Sequence, residues 1–169
     1  VLDGETRRPN VDQAILNVRN NLTINSSYGA TYFPWVQISD ITTGQLVWVP
    51  PSVAALGAIS SAQRASEVWF APAGFTRGSL SKGKAGLPVV GVRTTLTSKE
   101  RDKLYDADIN PIANFPKEGI VIFGQKTLKM DQSALDRINV RRLLIFLKRH
   151  IARFAATLLF SPNVRTTWN

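Results

Sequence analysis

The sequence predicts a mixed fold, α/β in its elements and α+β overall, that closes on a short sheet and one long amphipathic helix. Three observations carry this. Helical and strand-like segments alternate from residue 10 to about 70; glycine and proline crowd residues 71–91; and an apolar repeat of helical period runs from about Asn139 to Phe160. The 169 residues, 44% hydrophobic and 20% charged, suffice for one core or two small ones.

The elements follow in order. Residues 10–22 predict a helix with Asn10 as its cap and Val11, Ile15, Val18 and Leu22 on one face. Residues 31–39 read as a strand interrupted by Pro34, and Leu46 to Val49 as a second strand. The turn-like Thr42-Thr43-Gly44-Gln45 between them makes the pair a hairpin. Pro50-Pro51-Ser52 opens an alanine-rich helix to about Ser66, with Val53, Leu56 and Ile59 as its apolar face.

Residues 71–91 hold glycines 74, 78, 83, 86 and 91 and prolines 72 and 88, the composition of a linker and hence of a domain boundary. Thr97-Ser-Lys-Glu100 has capping-box spacing and starts a short helix to about Asp106. Asn110-Pro111 and Phe115-Pro116 mark extended or turning chain, and Gly119 to Phe123 a short strand. In the last helix Val140, Leu143, Leu144, Leu147, Ile151, Phe154, Ala155 and Leu158 recur at i, i+3, i+4 and i+7.

Lysine and arginine total 21 against 12 acids, a net charge of +9. The charge is segregated. Residues 137–169 carry seven basic residues and no acid, so they hold +7 of the total. Arg141, Lys148, Arg149 and Arg153 fall on an arc opposite the apolar stripe, with Arg142 at its flank. An ordinary solvated helix mixes signs to gain i,i+4 pairs, so an acid-free face points to an acidic partner.

Other chemistry is bounded by composition. No cysteine is present, which excludes disulfides and thiolate chemistry; His150 is the one histidine, which excludes zinc sites built on several. The longest apolar run, Leu143 to Leu147, is far short of the about 20 residues of a membrane-spanning helix, so no membrane insertion is expected. Gly78-Ser-Leu-Ser-Lys-Gly83-Lys84 resembles a phosphate-binding loop, but Ala85 replaces the magnesium-holding hydroxyl and Pro88 follows where a helix should start; a flexible basic loop is the better reading. Asp106-Ala-Asp108-Ile-Asn110 opens like a calcium loop, but Pro111 and Lys117 stand where glycine and a carboxylate are needed. His150 has no carboxylate nearby in sequence to orient it, and is read as structural or solvated. Asn21-Leu-Thr23 and Asn25-Ser-Ser27 match glycosylation sequons by chance, since no secretory signal is visible. No cofactor is expected, and no constellation supports an enzyme.

Five strings in order resemble the sheath protein of contractile bacteriophage tails. They are Ser26-Ser-Tyr-Gly-Ala-Thr-Tyr-Phe-Pro-Trp35, Val49-Pro-Pro-Ser52, Trp69-Phe-Ala-Pro-Ala-Gly-Phe75, Leu104-Tyr-Asp-Ala-Asp-Ile-Asn-Pro-Ile112 and Asp136-Arg-Ile-Asn-Val-Arg-Arg-Leu143. The resemblance runs from about Ser26 to Phe160 and matches the family's C-terminal part. It implies an assembly protein rather than an enzyme: a subunit that polymerises around an inner tail tube and contracts to drive the tube through the host envelope for genome delivery. By it, residues 1–80 are the end of an α/β domain, 81–92 a linker, and 93–169 a small tube-proximal domain. It implies homo-oligomerisation by strand exchange, with Gly119, Ile120, Val121, Ile122 and Phe123 as the acceptor strand. The tube contact falls to Arg141, Arg142, Lys148, Arg149 and Arg153, and the further partners are tail tube, baseplate and tail terminator proteins. Localisation is the virion, after assembly in the bacterial cytoplasm. The start at Val1 and the missing family portions imply a piece of a longer polypeptide. The alternative is a basic nucleic-acid-binding module using the same helix on phosphates, but no helix-turn-helix or stacking platform is recognisable, so direct nucleic-acid binding is not expected.

Overall fold

The computed structural model describes residues 10–83, 86 and 88–165. Two three-stranded sheets share a core with short helices, and one long helix leaves the body. Helix α1 (Val11–Asn21) is capped by the Asn10 side chain, which accepts from the Asp12 N–H, and it packs through Val11. Pro34 divides the expected strand 31–39, and the two halves join different sheets. Strand β1 (Thr31–Phe33) pairs in parallel with β5 (Ile109–Phe115), which pairs antiparallel with β6 (Gly119–Ile122). Strand β2 (Val36–Ser39) lies between β3 (Leu46–Val49) and β4 (Val89–Val92), antiparallel to both. The hairpin β2–β3 is as the sequence predicts, and Asp40 closes its turn by accepting from the Thr42 N–H and the Thr43 hydroxyl.

Helix α2 (Pro51–Ala65) starts on a proline in its first turn, as expected, but buries the other face. Ala54, Ala55, Ala58 and Ala62 enter the core while Val53 and Leu56 stand in solvent. The reason is distance. Methyl side chains let the helix backbone approach the sheet closely, and the space that would hold Val53 and Leu56 does not exist there.

The expected linker is part of the core. Leu80 is fully buried, and it and Val89 join Val36, Ala54, Ala55, Ala58, Ile112, Ile120 and Ile122 in one cluster. That cluster and the sheet β1–β5–β6 draw residues from both sides of the 81–92 boundary, so the two expected domains share a sheet and a core here. Gly78 is needed for proximity: a β-carbon there would sit 2.6 Å from the Ile122 carbonyl. Gly74 and Gly83 serve differently, taking left-handed backbone (φ 81° and 70°) at the start of α3 (Gly74–Arg77) and the end of a 3-10 turn (Ser81–Gly83).

A smaller cluster of Val11, Leu96, Leu104 and Ile109 joins α1 to α4 (Ser98–Asp106). The capping box forms as predicted, with the Thr97 hydroxyl accepting from the Glu100 N–H and the Glu100 carboxylate accepting from the Thr97 N–H. The Thr97 N–H and the Thr97 hydroxyl, both donating to the Glu100 carboxylate, hold it below its usual range. Helix α5 (Ile138–Thr157) ends the described fold. Among the described residues no helix is long and apolar enough to cross a membrane.

Candidate assembly interface

Helix α5 meets the body through its first half. Ile138 is buried, and Ile138, Arg142 and Phe146 are spaced at i, i+4 and i+8, so they lie along one line of the helix. That line faces inward. Arg142 donates to Gln63 Oε1 at 2.9 Å, and the Phe146 ring meets Trp69 edge-on at 5.2 Å. Arg141 donates to the Ser27 hydroxyl, and its guanidinium lies over the Tyr28 ring at 4.2 Å. Burial lowers the pKa of Arg142 and pushes the Tyr32 hydroxyl up to about 12, an upward shift that the nearby Arg142 cation partly opposes.

The two faces therefore trade roles. Two of the five expected contact cations, Arg141 and Arg142, are engaged by the chain's own body. Much of the apolar stripe faces out: Leu144, Leu147, Ile151 and Phe154 are exposed, while Val140, Leu143 and Leu158 are half-buried. The helix is held by the line that suits Gln63, Ser27, Tyr28 and Trp69, and the stripe lies on the other side. Lys148, Arg149 and Arg153 are exposed, with no ion-pair partner among the described residues. His150 is exposed too, its Nδ1 3.0 Å from the Phe146 carbonyl, in keeping with a structural or solvated residue.

Gly119 to Phe123, the expected acceptor strand, has its outer edge closed by the chain itself. The Leu80 N–H donates to the Ile120 carbonyl and the Ile122 N–H to the Gly78 carbonyl, both at 2.8 Å. The Ile120 N–H donates to Ser81 Oγ, also at 2.8 Å. Ile120, Val121 and Ile122 are buried, so a foreign strand would have to displace residues 78–81. The motif that resembled a phosphate loop is thus a strand cover through its described part. An exposed strand at a sheet edge is β3, where Leu46, Val47 and Trp48 all reach solvent.

The remaining motifs resolve as structure. Asp108 takes a left-handed backbone (φ 59°) just after α4 and pairs with Lys126 Nζ at 3.0 Å. Asn110, fully buried, donates to the carbonyls of Thr31 (3.0 Å) and Lys126 (2.8 Å) and accepts from the Lys126 N–H (2.6 Å). This clamp ties β1, β5 and the chain after β6 together. Sequence reading missed it because its partners lie 79 and 16 residues away. It also missed the ring cluster Phe75, Phe115 and Phe123, over which Arg101 is stacked at 5.0 Å from the Phe115 ring and 5.8 Å from the Phe123 ring. Among the described residues no group of three or more acids or histidines is placed to hold a metal ion.

The chain is similar to known proteins along most of its length. It is 35% identical over 155 residues to the tail sheath protein of Vibrio phage KVP40, which covers 92% of this chain and 22% of that protein. It is 32% identical over 148 residues to the tail sheath protein of Enterobacteria phage T4, covering 85% of this chain and 21% of that protein. The contracted sheath complex of PVC, an extracellular contractile injection system, matches with a TM-score of 0.75 at 27% identity, over 98% of this chain and 42% of that one. No family model matches. The chain spans about a fifth of the length of the curated relatives it matches.

Proposed function

The chain belongs with the contractile tail sheath proteins, of which it matches one part, and on that premise we propose that it is the C-terminal part of a sheath subunit, with residues 93–169 nearest the tube. In this reading the subunit is a virion component, built in the bacterial cytoplasm, that polymerises around an inner tube and contracts to drive it through the host envelope. Baseplate and terminator proteins would meet the two ends of the sheath.

The observation that carries the reading is the second half of α5. It is an exposed helix surface with no ion-pair partner among the described residues, apolar on one side and cationic on the other, in a stretch with no acid. Lys148, Arg149 and Arg153 are the cations left for an acidic tube. Each exposed ion pair contributes only about 0–1 kcal/mol, so such contacts hold register yet release on contraction. Strand exchange, if it uses this part of the subunit, has β3 rather than β6 as its exposed edge. A phosphate-binding module would be poorly served here, because Arg141 and Arg142 are turned to the body.

The test is electron microscopy of the full-length product with its tube protein. Sheathed tubes are expected from the unaltered protein. The combined variant Lys148→Glu, Arg149→Glu, Arg153→Glu should leave subunits folded and tubes bare. Discrete monomers from the unaltered protein would overturn the sheath reading; unchanged sheathing by the variant would overturn the electrostatic contact alone.

A further inference from the structure

The root of α5 is firmly anchored, and the turns that follow are held by much less. Ile138, the one buried residue of the helix, donates its N–H to the Gln125 carbonyl at 2.8 Å. Arg137, at the N-cap in extended backbone, donates to the Tyr105 hydroxyl and pairs with Asp136 at 3.2 Å. Arg141 completes the anchor through Ser27 and Tyr28. Beyond it the inward line makes two contacts. One is the hydrogen bond from Arg142 to Gln63, an exposed side chain; the other is the edge contact of the half-buried Phe146 and Trp69 rings.

These two contacts are opposed from within. Six side-chain atoms among the described residues are sealed from solvent with no hydrogen-bond partner in the chain, and three of them lie in one turn of α5: Asn139 Oδ1, Arg141 Nε and Arg142 Nη1. A sealed donor without a partner costs free energy that contact with water returns. Burial also lowers the pKa of Arg142, so the docked position disfavours the charge that this residue carries. Against this stands one hydrogen bond to an exposed amide, a small gain once water competes for both groups.

We propose that α5 is a latched lever, pivoting at Arg137–Ile138 between a docked position closed by Arg142–Gln63 and Phe146–Trp69 and a released position in which both contacts are open and Arg142 is in water. Release carries Lys148, Arg149, Arg153 and the exposed stripe with it, so the helix presents its faces in two directions. A partner that grips the outer half shifts the balance by its difference in affinity for the two positions.

The chain has no cysteine, so an introduced pair reports the swing directly. Ser60→Cys on α2 and Ala152→Cys on α5, both exposed and outside the latch, are spin-labelled, and their separation is read by pulsed dipolar spectroscopy. A shorter and a longer population are expected. Gln63→Ala should enlarge the longer by about twofold to tenfold, the scale of one hydrogen bond. Gln63→Glu, which gives Arg142 a charged partner, should enlarge the shorter. Arg142→Met fills similar space without the sealed donor and should also enlarge the shorter, although it removes the same hydrogen bond as Gln63→Ala. A merely structural contact would respond alike to loss of either end. Circular dichroism confirms that each variant is folded. One unchanging distance in all four proteins, or a longer population enlarged by Arg142→Met, overturns the lever and leaves the sheath reading standing. If Arg142→Met does not fold, identical distributions in Gln63→Ala and Gln63→Glu overturn it on their own.

Discussion

The guanidinium of Arg141 lies 4.2 Å from the centre of the Tyr28 ring, across 113 positions of sequence, and the same side chain donates to Ser27. This fixes the direction in which α5 presents its faces. A residue that composition marks for an external acid is committed to the fold.

Arg141→Ala is therefore expected to lower stability by about 1–3 kcal/mol, the combined scale of a charged hydrogen bond and a cation–π contact. Lys148→Ala, on the exposed half of the same helix, should change it by less than about 0.5 kcal/mol. Urea denaturation of the two variants checks the contrast; equal losses would mean that α5 packs by a different line.

Leu80 separates a spacer from a core. In a flexible linker its truncation would go unnoticed. Here it is fully buried against the sheet, so Leu80→Ala should cost about 2–5 kcal/mol. Thermal unfolding of this variant beside Val90→Ala, at a half-exposed position of β4, gives the measurement.

Asn110→Ala removes one carboxamide and strands the Lys126 N–H and the carbonyls of Thr31 and Lys126. Each buried unpaired group costs about 1–3 kcal/mol, so a loss of at least about 2 kcal/mol is expected. Amide hydrogen exchange should show the Lys126 N–H opening earlier than in the unaltered protein.

Tyr32 gives an alkaline signature. Burial favours the neutral phenol and raises its pKa from 10.0 to about 12 in the folded chain. The folded state then binds the proton more tightly than the unfolded state. This contribution is complete below about pH 10 and is lost as pH rises toward 12. Tyr32→Phe should flatten the fall in stability across that window, measured by denaturation at a series of pH values. An unchanged slope would place the alkaline sensitivity elsewhere.

Local signals in the sequence were legible where the partners are local. The Asn10 cap, the Thr97–Glu100 box, the turn closed by Asp40 and the break at Pro34 depend on neighbours within a few residues, and the structure has each of them. The resemblance to sheath proteins was legible because short strings persist in order along the chain, and the relatives agree with it. The sites were less so. Gly119 to Phe123 reads as a free strand until residues 78–81 are seen to bond along it.

The sequence by itself determined most of the helices, the β2–β3 hairpin and the placement of charge at one end of the chain, but not β4, which falls in the expected linker. It determined that α2 and α5 each have two unlike faces, because helical period alone decides which residues share a side. Only the tertiary structure decided which face meets the body. In α2 the alanines won, since they let two backbones come close; in α5 the Ile138–Arg142–Phe146 line won, since Gln63 and Trp69 stand there to receive it. Those partners come from distant parts of the chain, and periodicity carries no information about them. The exposed apolar stripe that results, with cations on the opposite face, is what the net charge of +9 could not show.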